Sequence, residues 1–225
     1  MPAKFEKTSV NQVTRVPERG RYDRKTIYPI IDEALICHVG LVEAEQPVVI
    51  PTLHVRKGDE ILLHGATTSR LIKYVAAGHP VCVAITLVDG LVLARSVYHH
   101  SVNYRSVVLF GRGRLIAAAE KLAYLEYFTN RLLPDRWAEV RPPNEAELKA
   151  TAVVSIPIEL ASAKVRMGPP GDEPEDMDWP VWAGVLPIRQ QFLPPQADPQ
   201  LETEQPVPDY IVNYVHKRNN SEGQA

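Results

Sequence analysis

"LLHGATTSRLIKYVAAG" (residues 62–78) runs from an apolar, strand-like segment through a turn of small residues into a helix. The turn contains Gly65 and ends at Ser69, and Arg70 follows at once. Backbone N–H groups and hydroxyls at such a junction, beside a fixed positive charge, suit a phosphate group. On the local pattern alone, simple capping by Thr68 or Ser69 is the favoured interpretation, because Ser and Thr are common at helix starts.

Short β-rich runs surround this stretch on both sides, and turn signals separate them. They cover residues 35–42, 47–55, 59–65, 80–88, 90–97, 105–116 and 152–160. The links RKGD (56–59) and DG (89–90) are typical of tight turns. Helical spacing of apolar residues predicts a helix capped by Asp23, a second over 117–133 and a short third over 145–149. Many short strands with few helices predict a closed or partly open antiparallel barrel with helical additions.

Composition limits the class of protein. The chain has 225 residues, 45% of them hydrophobic and 23% charged, which is ordinary for one globular domain with an appendage. A net charge of −2 argues against a nucleic-acid-binding protein. No apolar run is long enough to span a bilayer and no signal-peptide pattern opens the chain, so we expect a soluble, cytoplasmic protein without a membrane partner. Cys37 and Cys82 lie in apolar runs and are interpreted as reduced core thiols.

The sequence divides into three parts. Residues 1–22 are polar and predict an N-terminal arm, and residues 23–190 carry the predicted barrel domain. Residues 191–225 are rich in proline and predict an extended tail whose end is disordered.

Two further stretches are organised for more than packing. In "VVIPTLHV" (48–55), a proline within a strand predicts a sheet edge or a bulge. Backbone groups there are free to contact a flat ligand, although an edge strand protected by the proline against aggregation explains it as well.

In "HHSVNYRSVVLFG" (99–111), polar donors around Arg105 lead into an apolar strand. A cross-strand ion pair or a dimer contact would explain Arg105 equally well.

Several familiar chemistries are not indicated. His99 and His100 are adjacent, so they point to opposite faces of a strand, and no cysteine stands at zinc-ligand spacing. We therefore expect no metal site of that type. No nucleophile elbow, Gly-rich phosphate loop or helix-turn-helix pattern is present.

The order and spacing of six segments are more specific than any one of them. The segments are "HVGLV" (38–42), "PVVIPTLHV" (47–55), "GDEILLHGATTSR" (58–70), "GHPVCVAIT" (78–86), "SVNYRSVVLFG" (101–111) and "ELKATAVVSIPIELASAKVR" (147–166). The later "DWPVWAGVLP" (178–187) also fits. Together they resemble the flavin-nucleotide-binding relatives of pyridoxamine 5′-phosphate oxidase, the FMN-binding split barrels, and most of all the nitroimidazole-resistance subgroup. The resemblance extends from about Arg15 to Pro187.

This resemblance implies a mainly β protein with helices: a six-stranded antiparallel Greek-key barrel that forms a homodimer, with FMN in two clefts at the dimer interface. Residues 50–53 would line the isoalloxazine ring, and Ser69 and Arg70 would hold the phosphate. Trp182 would cover the cleft as an aromatic wall. The full set of implied cofactor-binding residues is Ile50, Pro51, Thr52, Leu53, His64, Gly65, Ser69, Arg70, Arg105, Ser106 and Trp182. The phosphate expectation now outweighs simple capping, because a cap does not need an arginine.

Departures from the family pattern limit the expected activity. His54 stands where the true oxidases carry a lysine that helps to hold cofactor and substrate phosphate. The segment that grips pyridoxine phosphate has no counterpart between Ala117 and Pro143. Pyridoxamine phosphate oxidase activity is therefore not expected.

The leading hypothesis is an FMN-dependent oxidoreductase that passes reducing equivalents from a nicotinamide nucleotide or similar donor to a small acceptor. Donor, acceptor and catalytic residues stay unassigned, and whether the chain is an enzyme stays open. One alternative is a non-catalytic flavin-binding or sensor protein. Another is a haem-binding split barrel, which needs an axial histidine such as His64, His99 or His100.

Overall fold

The computed structural model describes residues 3–201 and 205–220. Its strands are β1 (Gly20–Arg21), β2 (Ile36–Glu43), β3 (Gln46–Leu53), β4 (Val55–Lys57), β5 (Glu60–Ala66), β6 (Pro80–Leu93), β7 (Ser101–Arg112), β8 (Arg114–Leu115), β9 (Thr151–Pro157), β10 (Leu160–Arg166) and β11 (Gly184–Pro187). The α-helices are α1 (Arg24–Glu33), α2 (Arg70–Ala76), α3 (Lys121–Leu132), α4 (Arg136–Glu139), α5 (Glu145–Ala150) and α6 (Asp209–Asn220).

The strands form two antiparallel sheets. The larger sheet has the order β1-β10-β7-β6-β2-β3, and β11 also pairs with β6. The smaller sheet has the order β4-β5-β9-β8. The predicted class, mainly antiparallel sheet with helices, is confirmed. The described residues form eleven strands where six were expected, and four of these, β1, β4, β8 and β11, are no longer than four residues.

One hydrophobic core fills the space between the sheets. Alternate residues of β2, β6 and β7 meet those of β5 and β9, and α1 and α2 each add three buried side chains. A second, smaller cluster lies on the other face of the small sheet, where Phe128 of α3 packs against Val55 and Leu62. The core fixes the barrel, whereas α3 covers only the outside of the small sheet.

Local sequence signals explain several element boundaries. The Asp23 side chain accepts a hydrogen bond from the Thr26 N–H, as expected for the cap of α1. The RKGD link is a tight turn between β4 and β5, as predicted, and Gly58 takes the left-handed conformation (φ +60°) that this turn requires. The helix predicted over 145–149 is α5, which begins with a reciprocal capping box between Asn144 and Glu147.

Two strand predictions were wrong in detail. The DG pair at 89–90 is not a turn: β6 runs through it for 14 residues, and the pairing with β7 shifts there in a bulge. Gly90 is needed at this point because a Cβ would lie 3.0 Å from the Leu186 carbonyl of β11. The strand predicted over 152–160 is two strands, β9 and β10.

The predicted extended tail was wrong for residues 209–220, which form α6. Asn219 of this helix exchanges two hydrogen bonds of 2.8 Å with the backbone of Phe192, and Arg218 donates to the Glu33 carbonyl of α1 (2.8 Å). The remainder of the predicted disordered end, residues 221–225, lies outside the described residues. No helix in the described part of the chain is long and apolar enough to cross a membrane.

Candidate functional site

β3 is the free edge of the large sheet. It pairs with β2 on one side and ends the strand order on the other. The sheet edge predicted from Pro51 is therefore confirmed. One face of the β2–β3 hairpin carries four large apolar side chains that are 40–64% exposed: Ile36, Val42, Val49 and Leu53.

The backbone of β3 leaves groups free along this edge. The His54 N–H donates to the Leu35 carbonyl (3.3 Å), so residues 35 and 54 form a hydrogen-bonded pair. Because bonded and non-bonded pairs alternate along an antiparallel ladder, Val49, Pro51 and Leu53 direct their backbone groups away from β2. Pro51 lacks an N–H and loses no ladder bond there. The predicted sheet edge thus has free backbone groups, whereas the side chain of Ile50 packs against the core. Contact of this edge with a ligand stays a prediction.

His64 and Gly65 lie on β5, a few residues before the phosphate candidates Ser69 and Arg70. The His64 ring meets Phe128 of α3 edge-on, with 4.4 Å between ring centroids, and its Nδ1 is buried without a hydrogen-bond partner. Burial lowers the pKa of His64, so its imidazole is neutral near pH 7. Packing explains why position 65 is a glycine, because a Cβ there would lie 3.2 Å from Ile72 of α2.

Ser69 and Arg70 stand at the start of α2 with spare donors. Ser69 occupies the N-cap position, yet its side chain makes no capping hydrogen bond. The Arg70 side chain is 52% exposed, and Glu43 of β2 approaches it at 3.4 Å. Simple capping therefore does not account for the Ser69 hydroxyl, and a single exposed ion pair leaves most of the Arg70 guanidinium available.

A shallow depression of about 390 Å³ opens beside Arg70. Its lining residues are Glu43, Thr68, Arg70, Lys73, Tyr74, Ala77 and His79. Tyr74 is half-buried, and its ring lies 4.8 Å from that of His79, tilted by 41°. The sequence analysis missed Lys73, Tyr74 and His79. The signal that could have found Lys73 is its position three residues after Arg70, which puts both charges on one face of a helix.

Arg105 is bound on all sides by carboxylates. Its Nε and Nη2 donate to Asp89 of β6 (3.0 and 2.8 Å), and Nη1 and Nη2 donate to Glu33 of α1 (2.5 and 2.9 Å). Hydrogen bonds to Glu33 and Asp89 raise the pKa of Arg105. The cross-strand ion pair, the alternative explanation of this residue, is what the structure shows. Its cofactor role stays a prediction, and any phosphate here would meet two carboxylates as well.

Ser106 lies beside Arg105, whereas Trp182 lies further along β6: Arg105 pairs with Leu87 of that strand, and Gly184, just after Trp182, pairs with Leu93. Ser106 follows Arg105 on β7 and donates from Oγ to the Lys164 carbonyl (3.2 Å). Trp182 precedes β11 and is 68% exposed, and its ring lies so close to Gly184 that a Cβ there would come within 2.8 Å. Their predicted contacts with a cofactor stay predictions.

The candidates thus fall into two groups and one separate residue, Trp182. The α2 group consists of residues 50–53, His64, Gly65, Ser69 and Arg70, on β3, β5 and the start of α2. The β7 group consists of Arg105 and Ser106. In the sheet, β6 and β2 stand between β7 and β3, so at about 4.8 Å per strand Ser106 lies roughly 14 Å across the sheet from the end of β3 at Leu53. Arg70 lies farther away, beside Glu43 at the opposite end of β2.

The outer face of the large sheet carries mainly small and apolar side chains, with polar residues such as His38 and Thr86 among them. Gly40, Cys82 and Phe110 lie opposite one another on β2, β6 and β7, and the exposed side chains of the β2–β3 hairpin continue this face. Flat apolar surface of this kind is typical of a subunit interface.

Among the histidines discussed for haem, only His64 has a ring nitrogen that lacks a partner in a buried setting. His100 Nδ1 lies 3.0 Å from the Ser96 carbonyl, and His99 Nε2 lies 3.7 Å from Glu173. His54 is neutral as well, because burial lowers its pKa, and its Nδ1 is also buried without a partner, but its Nε2 is held by the Ile31 carbonyl at 3.0 Å. A neutral imidazole with apolar neighbours fits an axial ligand, so His64 is the residue that suits haem best.

Comparison with known proteins identifies the fold and its relatives. A sequence model described as pyridoxamine 5′-phosphate oxidase matches residues 23–165. The flavocytochrome Anf3 of Azotobacter vinelandii is similar to this chain, with 42% identity, a TM-score of 0.87, and coverage of 92% of this chain and 96% of that one. A FAD and haem binding protein of Mycobacterium smegmatis shares 34% identity over 88% of this chain and 97% of its own, with a TM-score of 0.84.

A third similarity extends to fold alone. A Bacteroides thetaiotaomicron structure assigned to 5-nitroimidazole antibiotic resistance has a TM-score of 0.55 at 22% identity, covering 65% of this chain and 86% of that one. Among curated proteins, none matches. The resemblance to the split barrels and the fold class predicted from the sequence are both confirmed.

Proposed function

Because the chain belongs to the pyridoxamine 5′-phosphate oxidase family, we propose that it is a flavoprotein oxidoreductase that holds the FMN part of its cofactor at the α2 group. The cofactor is FMN itself, as the sequence predicts, or FAD, which contains it. The two relatives above 30% identity support a flavin, since one is a flavocytochrome and the other a FAD and haem binding protein.

The observation that carries this proposal is the set of unused donors at Ser69 and Arg70. The Ser69 hydroxyl does not cap its helix, and the exposed pair between Arg70 and Glu43 is of the kind that contributes at most about 1 kcal/mol. A phosphate would gain charge-assisted hydrogen bonds from both side chains. The free backbone edge of β3 offers donors and acceptors for the polar rim of a flat ring.

A bound flavin would supply hydride or electron transfer. The chain's own contribution is to bind and orient: Arg70 neutralises the phosphate, the edge at Val49 and Leu53 presents backbone groups, and the apolar face beside them excludes water. No side chain of the α2 group is placed as a proton donor or acceptor. The electron donor and acceptor stay open.

We also propose a homodimer in the cytoplasm. The α2 group and the β7 group are separated within one chain, and they would meet if the β7 group of one subunit completed the α2 group of the other. The apolar outer face of the large sheet supports such an association. Light scattering should give twice the mass of one chain at micromolar concentration. A monomer that still binds flavin would contradict the shared cleft.

The function is tested at Arg70. Arg70→Ala should weaken FMN binding by about 1.5–3 kcal/mol, the usual contribution of a hydrogen bond to a charged group. Riboflavin lacks the phosphate, so its affinity should hardly change. Arg70→Lys should recover only part of the loss, because the two-pronged geometry is gone. The measurement is a titration of both flavins into wild type and variants, followed by flavin fluorescence.

The matched control is Arg112→Ala, which removes another exposed arginine whose observed bond is to the Gly78 carbonyl. It should leave both affinities unchanged. If Arg70→Ala weakens FMN and riboflavin equally, or neither, the phosphate does not bind at Arg70.

Haem binding is the second candidate, and the unpartnered Nδ1 of His64 favours it together with the names of the two relatives. His64→Ala should abolish the haem absorbance spectrum of the reconstituted protein, whereas His100→Ala should keep it. An unchanged spectrum in His64→Ala would exclude His64 as the ligand. If the wild-type protein itself shows no haem spectrum, haem binding is excluded and the flavin proposal is unaffected.

A further inference from the structure

Arg166 is a buried arginine without a carboxylate partner. Four arginines whose side chains are 18–25% exposed each form an ion pair with an aspartate or glutamate: Arg24, Arg56, Arg95 and Arg105. Arg166, at the end of β10, is only 8% exposed, and it forms no ion pair with any carboxylate in the described part of the chain. A buried charge without a counter-charge costs several kcal/mol, so Arg166 on its own destabilises the fold.

Neutral oxygens occupy only part of the Arg166 guanidinium. Nη1 donates to Asn103 Oδ1 and to the Gly168 carbonyl (3.3 Å), and Nη2 donates to the Pro169 carbonyl (3.2 Å). Nε is buried and has no hydrogen-bond partner. Nε and a neighbouring Nη hydrogen form the edge of a guanidinium that binds two oxygens of one anion. This edge of Arg166 is therefore not fully used by the protein itself.

Arg19 brings a second positive charge to the same place. It ends the short 3₁₀ helix Pro17–Arg19, and the next residue, Gly20, pairs with Lys164 near the end of β10. Arg19 is half-buried and makes no hydrogen bond or ion pair with the residues that the structure describes. Burial and, next, the charge of Arg19 lower the pKa of Arg166, although an arginine stays protonated near pH 7. Two like charges held close together repel each other unless an anion joins them.

Glu18 does not neutralise this pair, although it directly precedes Arg19. Its side chain is exposed and forms no ion pair within the described ranges of the chain. Arg21, on the other side, is exposed as well, and its Nη1 donates to the backbone carbonyls of Glu18 (2.6 Å) and Gly20 (3.0 Å). The charges of Arg19 and Arg166 are thus left for an anion from solution.

We propose that Arg166 and Arg19 bind a small inorganic oxyanion, namely phosphate. Phosphate carries more than one negative charge near pH 7, so it matches two positive charges better than a carboxylate does. The burial of Arg166 favours the free ion over a phosphorylated metabolite, which needs room for the rest of its structure. In the sheet, β7, β6 and β2 separate β10 from β3, so this site is distinct from the α2 group and does not require a bound flavin.

Isothermal titration of inorganic phosphate into the full-length protein tests the site, at constant ionic strength and without other oxyanions in the buffer. The titration is made in wild type and in Arg70→Ala, so that phosphate bound at the start of α2 is recognised separately. One saturable phosphate per chain should remain in Arg70→Ala. Adding Arg19→Gln to that variant should weaken phosphate binding about tenfold or more, the usual effect of losing a hydrogen bond to a charged group.

Two further variants identify the residues that bind. Arg166→Lys keeps the charge but loses the two-pronged edge, so it should also weaken phosphate binding about tenfold. The matched control is Arg21→Gln, which removes an exposed arginine from the same segment and should leave phosphate affinity unchanged. If Arg166→Lys fails to fold, Arg19→Gln still decides, because Arg19 has no partner among the described residues that its loss would leave unpaired.

Three results would overturn the proposal, whatever the flavin titrations give. The first is the absence of saturable phosphate binding in Arg70→Ala. The second is an equal loss in Arg19→Gln and Arg21→Gln, which would show general attraction to positive surface charge. The third is binding of glycerol phosphate as tight as that of phosphate, which would contradict a site for the free ion. Loss of flavin binding with the phosphate site intact would refute the proposed function alone.

Discussion

Arg70 and Arg105 were both predicted to bind the cofactor, and the structure treats them in opposite ways. Arg70 is half exposed and has one carboxylate at 3.4 Å. Arg105 is only 20% exposed and donates four hydrogen bonds to two carboxylates, Glu33 and Asp89. An arginine thus provides a free hydrogen-bond donor at one end of the barrel and a structural ion pair at the other.

The carboxylate partners of the two guanidinium groups separate a ligand-binding arginine from a structural one. A guanidinium that already faces two carboxylates has no charge left for a phosphate, whereas one with a single exposed partner exchanges that partner at little cost. The residue type is the same in both cases. The number of carboxylate partners and the exposure of the side chain decide whether the arginine can bind a ligand.

The largest expected effect is on stability at Arg105. Arg105→Gln leaves Glu33 and Asp89 facing each other without their counter-charge, so unfolding should become easier by about 2–3 kcal/mol. Urea denaturation followed by circular dichroism measures the change. The same substitution at Arg70 should shift stability by less than about 1 kcal/mol, because its pair is exposed.

The two arginine variants should therefore behave differently. Equal stability losses at both arginines would mean that the exposed pair of Arg70 is structural too. A loss of flavin affinity in folded Arg105→Gln, larger than in Arg70→Ala, would move the phosphate to β7.

A smaller effect is expected from the tail, which is attached to the Arg105 end. Asn219→Ala removes two hydrogen bonds to the Phe192 backbone, and its neighbour Arg218 contacts Glu33, the residue that also holds Arg105. Stability should fall by about 1–2 kcal/mol in urea denaturation. Flavin affinity should stay unchanged, because α6 does not contact the depression beside Arg70. The control is Asn213→Ala, on the exposed side of the same helix.

Much of the fold was predictable because its signals are local. The cap at Asp23, the glycine turn at Gly58 and the proline on an edge strand each follow from the chemistry of one or two residues. The bulge at Gly90 was misread as a turn because an Asp-Gly pair suits both. Only the packing of β11 against β6 decides between them, and that contact spans about a hundred residues of sequence.

The site was predictable only where it is contiguous in sequence. Ser69 and Arg70 follow from one turn, and the family pattern adds β3. The depression was missed because it joins the tip of a hairpin, one face of a helix and His79 beyond it. Sequence also could not show that Arg105 is paired, since Glu33 lies 72 residues away on another element.

A small effect on FMN affinity is expected at Glu43, the carboxylate opposite Arg70. Glu43→Gln removes the carboxylate opposite Arg70 and should tighten FMN binding by up to about 1 kcal/mol, the usual limit for an exposed pair. Riboflavin affinity should not change, and high salt should erase the gain because exposed charges are screened. Glu45→Gln, at the same hairpin tip, is the control. Weaker FMN binding in Glu43→Gln would show that the carboxylate orients Arg70 instead of competing for it.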